Sequence, residues 1–183
     1  MRFLCLLGLA SLHFVVHSQT APVVNTRTAS GYPSIQQAVD AAEEGDTLTL
    51  ASVTFEERVV IDKAVALLGQ SGGGTVLDIR NRPSYGIHLV SGGSTLENLT
   101  VISSSTHVGY AIHSEPGISG LTLRNIAVLN NATSGIDLNG LEPEAVNTIE
   151  SCSAFNCGAG FGLALSSCQN VQVESGHSQP RNR

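Results

Sequence analysis

Leu96-Glu-Asn-Leu-Thr-Val-Ile-Ser-Ser104 returns 27 residues later as Leu123-Arg-Asn-Ile-Ala-Val-Leu-Asn-Asn131. It returns again after a further 26 as Ile149-Glu-Ser-Cys-Ser-Ala-Phe-Asn-Cys157. A second series reads Tyr85-Gly-Ile-His-Leu, Tyr110-Ala-Ile-His-Ser, Ser134-Gly-Ile-Asp-Leu and Phe161-Gly-Leu-Ala-Leu, at steps of 25, 24 and 27. Two independent series with one period near 25 define a structural repeat. Each repeat holds two or three short β-runs, too few to bury a core alone, so the repeats have to stack.

Parallel stacking turns each aligned column into a ladder with a rise of about 4.8 Å per rung. Leu99, Ile126 and Cys152 form one column and Val101, Val128 and Ala154 another. Alternation with Thr100, Ala127 and Ser153 sends both columns inward, which makes Cys152 a core thiol. Asn98, Asn125 and Ser151 stack at a turn, where side-chain amides bond to one another and to turn backbone. Glu97, Arg124 and Glu150 stack beside them in alternating sign, a surface ion ladder rather than a catalytic group.

Working outward, Ser34 followed three residues later by Gln37 is a capping box that opens a helix. Ile35, Ala38, Val39 and Ala42 fall at i, i+3, i+4 and i+7, giving one apolar face that runs toward a stop at Gly45. This face is expected to cover the first coil around Leu48, Leu50 and Val59. At the amino end, Arg2, the apolar stretch Phe3 to Val16 and the cleavage pattern Val16-His17-Ser18 read as a secretory signal over residues 1–18. Removing it leaves Cys152, Cys157 and Cys168, an odd set for an oxidising compartment: one thiol stays free or pairs between chains. The expected organisation is a signal peptide at 1–18, a lead-in at 19–32, a helically capped β-helix at 33–175 and a polar tail at 176–183.

Composition excludes several classes. Hydrophobic residues at 42% support a packed core, whereas charges at 13%, no Trp and 19 Gly suit close-stacked strands. With a net charge of −6 and Lys63 as its one lysine, the chain has no basic footprint for nucleic acid. Beyond the leader no apolar run is long enough to span a bilayer. Ser71-Gly72-Gly73-Gly74 lacks the Gly-Lys-Ser/Thr that completes a phosphate loop, and no CxxC spacing occurs, so neither a cofactor nor a metal is assigned.

Ser34-Ile-Gln-Gln-Ala-Val-Asp-Ala-Ala, Gly45-Asp-Thr-Leu, Thr54-Phe-Glu-Glu-Arg-Val-Val-Ile and Leu67-Leu-Gly together resemble the N-terminal part of right-handed parallel β-helix proteins of the pectin-lyase-like superfamily. The resemblance spans roughly residues 30–175. It implies an all-β, right-handed parallel β-helix with an N-terminal amphipathic capping helix, and about 130 residues at the repeat length give about five coils. It carries over no active site. The paired Asp residues of the methylesterases, the Gly-His-Gly of the polygalacturonases and the calcium-binding Asp set of the pectate lyases have no counterpart, and Ser134-Gly-Ile-Asp137 and Gly176-His177 are only echoes.

One outward column carries chemistry. Ile87, Ile112, Ile136 and Leu163 point inward, so His88, His113, Asp137 and Ala164 point outward on successive coils. Gly86, Ala111, Gly135 and Gly162 beside them are small and are expected to leave a shallow trough for an extended sugar chain. His88 or His113 would act as acid/base with Asp137 as partner, and the same donor set suits a divalent metal. Asn98-Leu-Thr100 and Asn131-Ala-Thr133 are glycosylation sequons, with Asn131 expected to be the better acceptor.

The sequence therefore predicts a secreted β-helix protein that binds, or forms part of, an extracellular polysaccharide or mineralised matrix. The alternative is a polysaccharide-active lyase, hydrolase or esterase, the chain being a truncated form. Residues 176–183 have no apolar periodicity to close the last coil, so self-association through residues 161–175 is also expected.

Overall fold

A computed structural model describes residues 21–80, 85–104, 109–131, 134–157 and 162–175. The leader expected at 1–18 and the tail at 176–183 lie outside the described residues. The chain begins with an antiparallel pair, β1 (Val23–Asn25) and β2 (Ser30–Tyr32), followed by helix α1 (Ile35–Ala41). Short strands then succeed one another: β3 (Thr47–Leu50), β4 (Thr54–Phe55), β5 (Val59–Ile61), β6 (Ala66–Leu68), β7 (Val76–Asp78) and β8 (Ile87–Leu89). β9 (Thr95–Ile102) and β11 (Thr122–Leu129) are long, with β10 (Ile112–Ser114) between them. β12 (Ile136–Asn139), β13 (Asn147–Glu150), β14 (Ser153–Phe155), β15 (Leu163–Ser166) and β16 (Val171–Glu174) complete the order.

β3 pairs antiparallel with β1 on one side, and among the described residues every other pairing from β3 onward is parallel, between strands one repeat apart. The chain is an all-β solenoid. One sheet runs β15-β12-β10-β8-β5, and its five strands make four steps, so the solenoid has about four turns rather than five. Dividing residues by the period over-counts because the stretches before β5 and after β15 do not close a further turn of this sheet. The larger sheet bends where β9 passes from β6, paired at Thr95–Glu97, to β7, paired at Thr100–Ile102. At that bend Asn98 takes φ 58°, and Asn125 and Ser151 repeat it at 58° and 54° on the next rungs. Asn tolerates this left-handed conformation better than most non-glycine residues.

The core is a set of inward ladders. Leu48, Leu67, Leu96, Leu123 and Ile149 lie in register, each at most 2% exposed. Each such burial is worth about 1.5–3 kcal/mol. The next member of the ladder, Val173, is 57% exposed. Beside it a cavity of about 210 Å³ opens between Ile136, Ile149, Cys152, Ala154 and Leu163. Cys152 is accordingly half-buried, its Sγ–H directed at the Leu123 carbonyl at 3.5 Å, and burial pushes its thiol pKa up.

The other end is closely tied. Ser34 accepts the Gln37 backbone N–H at 3.3 Å, as its spacing predicts. Glu57 accepts the next two orphan N–H groups, Ile35 at 2.8 Å and Gln36 at 3.0 Å. Ile35, Ala38 and Val39 are buried and the helix packs on β1, β2, β3 and β5. The Gln36 amide also bonds both to N–H and C=O of Val60, at 2.7 and 3.2 Å, satisfying the free edge of β5. Asp46 is buried and accepts from Asn25, Arg27 and the Glu43 N–H. These bonds, led by Arg27, hold its carboxyl well below the usual carboxylate range.

Candidate functional site

The shorter sheet places Val60, His88, His113, Asp137 and Ala164 in one register column. His88, His113 and Asp137 thus stand on adjacent rungs, flanked by the inward ladder Val59, Ile87, Ile112 and Ile136, each at most 1% exposed. His113 Nδ1–H donates to Asp137 Oδ2 at 2.8 Å, with side-chain exposures of 11% and 13%. His88 Nε2–H donates to Glu115 Oε1 at 2.7 Å, and Glu115 is 44% exposed. Each imidazole is therefore oriented by its own carboxylate.

Two tyrosines cover the column. The Tyr85 ring stacks on His113 at a centroid distance of 4.4 Å and tilts against His88 at 4.8 Å. Tyr110 stacks on His113 at 5.2 Å and on Tyr85 at 5.9 Å. The interplanar angles among these three stacked rings are 15–17°. The result is a half-buried aromatic face of three near-parallel rings with the tilted His88 ring beside it.

Gly86, Ala111, Gly135 and Gly162 do not form the expected outward trough. A side chain at Gly86 would meet Ile79 and the Ala111 carbonyl, and Ala111 itself is fully buried. One at Gly135 would meet the Gly162 carbonyl, Ala154 and Cys157, and one at Gly162 would meet Ala154. These small residues face the interior, where the chain turns a corner into each strand of the shorter sheet. The corner breaks the alternation, so Gly86 goes in and Tyr85 goes out. Small residues are needed because the strand must pass close to core side chains and to the next rung's backbone.

The two sequons are also reordered. Asn131 is fully buried, accepts the Ser103 hydroxyl at 2.9 Å and donates to the carbonyls of Gly109 and Ser134. No glycan can sit on that amide while these bonds are kept. Asn98 is half-buried, and accepts the Asn125 amide at 2.8 Å as the ladder predicts. Arg124 bridges Glu150 at 2.8 Å and Glu97 at 3.4 Å, the expected surface ion ladder.

The sequence reading did not single out Glu115, Tyr85 or Tyr110 as site residues. The tyrosines carry a signal, since each stands three residues before its histidine in Tyr-x-Ile-His. Glu115, two residues after His113, shares its parity along the strand direction. No protein-family model, curated protein or solved structure matches this chain. The stacked parallel strands make the fold class a β-solenoid.

Proposed function

We propose that the chain is a secreted, right-handed parallel β-helix protein of the pectin-lyase-like kind, with α1 as its end cap, that binds an extracellular polysaccharide or polysaccharide-bearing matrix through the shorter sheet. The right hand is the one that parallel crossovers favour. One observation carries the binding role: Tyr85, Tyr110 and His113 stack as near-parallel rings along the solenoid, with His88, Asp137 and Glu115 around them. Sugar rings offer apolar C–H faces and hydroxyl edges, and such a surface meets both, the rings by contact and the carboxylates and imidazoles by hydrogen bonds. The rungs repeat at about 4.8 Å, so the face is linear and suits an extended chain.

The His113–Asp137 pair favours a second reading, a polysaccharide-active enzyme. An imidazole whose Nδ1–H is held by a carboxylate at 2.8 Å presents its other nitrogen as a general base. A glycan array and a polysaccharide-degradation assay on the same protein separate the two. Binding without product release supports the binder, turnover supports the enzyme, and neither signal on any plant, algal, bacterial or matrix glycan overturns both. Self-association through the last coil, residues 161–175, is a further part of the proposal, supported by the exposed Leu165 and Val173 and by the half-buried Cys168, with Cys157 near that end. A monomer by light scattering across a wide concentration range would refute it.

A further inference from the structure

We propose that His88, His113 and Glu115 bind a divalent ion of the Zn²⁺ type, with Asp137 as the positioning residue behind His113. Among the described residues, one donor atom from each of the three lies within 4.8 Å of the others. Zn²⁺ takes imidazole nitrogen and carboxylate oxygen at about 2.0–2.2 Å, so tetrahedral donors stand about 3.3–3.5 Å apart. His88 and Glu115 already meet at 2.7 Å, and the His113 donor lies within 4.8 Å of both, so an ion would part the first two slightly, using the freedom of the 44% exposed Glu115, and draw in His113.

The surroundings match what a metal-binding histidine requires. Its second ring nitrogen is usually held by a carboxylate, which sets the tautomer and raises the basicity of the ligating nitrogen. Asp137 does this for His113 at 2.8 Å, leaving Nε2 with the lone pair. Tyr85, 4.4 Å from His113 and 4.8 Å from His88, limits rotation of both rings. The ion takes the place of the hydrogen between His88 Nε2 and Glu115, and a neutral His88 keeps its proton on Nδ1. Two imidazoles and one carboxylate leave at least one coordination position open, for water or for a hydroxyl of a bound ligand.

This proposal shares its residues with the face assigned to polysaccharide binding but is read with metal alone, so either can fail without the other. Untagged full chain is titrated with Zn²⁺ against a chromophoric chelator, and Co²⁺ is substituted to report the coordination sphere. The expected result is one tight equivalent and a four- or five-coordinate cobalt spectrum without a thiolate charge-transfer band. His88→Ala and Glu115→Gln each lower affinity about 100-fold or more. Asp137→Asn lowers it about 10- to 100-fold with the stoichiometry unchanged. Circular dichroism confirms folding, and Glu115→Gln, altering an exposed side chain, keeps the test readable if a histidine variant misfolds. Failure to bind, binding unaffected by Glu115→Gln, or a thiolate band implicating Cys152, Cys157 or Cys168 would each overturn it.

Discussion

Two outward ladders grow from the same repeat and end with different chemistry. On the larger sheet Glu97, Arg124 and Glu150 alternate in sign, and each charge meets its partner one rung away. Next to them the Asn98 and Asn125 amides bond head to tail. On the shorter sheet His88 and His113 are adjacent but each turns to a separate carboxylate, under two tyrosine rings. The first ladder uses up its valences along the stack. The second gathers one donor atom each of His88, His113 and Glu115 within 4.8 Å of one another. Register alone makes a column; convergence makes a site.

The strongest way to break that contrast acts on the corner that sets the shorter sheet. Asn131→Ala removes the buried acceptor of the Ser103 hydroxyl and the amide that donates to the Gly109 and Ser134 carbonyls. We expect a loss of about 2–3 kcal/mol in chemical denaturation, with weaker binding at His113. An unchanged midpoint would mean that the corner is held by other contacts.

Next in size, His113→Ala is expected to lower glycan binding at least about tenfold, near 1.4 kcal/mol, while the fold survives. Equal affinity for parent and variant in a titration would remove the second ladder's claim to function. Asn125→Ala tests the first ladder as a structural device. Forcing a Cβ-bearing residue without a local side-chain bond into φ 58° should cost about 1 kcal/mol. Asn125→Gly should recover part of it. If glycine recovers nothing, loss of the amide bond rather than backbone conformation accounts for the cost. Smallest of all, Arg124→Ala is expected to leave both stability and glycan or metal affinity unchanged, since the ion ladder is exposed and screened. A loss of binding there would erase the distinction between the faces.

Much of this was legible in the chain. The inward columns Leu99–Ile126 and Val101–Val128, the Asn98–Asn125 turn ladder and the His88–His113–Asp137 register all follow from aligning two series. The apolar face of α1 was legible from its spacing, but Glu57 as the acceptor at its first turn was not, because 22 residues separate Glu57 from Ile35. The trough failed for a related reason. Alternation holds within a strand, and Gly86 lies at a corner just outside β8.

The sequence by itself determined the period, the β-solenoid class, which residues share a rung and which columns face the core. A period of near-constant length and a two-residue side-chain alternation are properties of the chain alone. The tertiary structure decided where the chain bends between runs, and with it the outward swing of Tyr85 and Tyr110, the burial of Asn131 and the meeting of Glu115 with His88. Those outcomes depend on the direction a side chain leaves a corner. That direction is set by left-handed turns and close approaches between neighbouring rungs, which no linear spacing encodes.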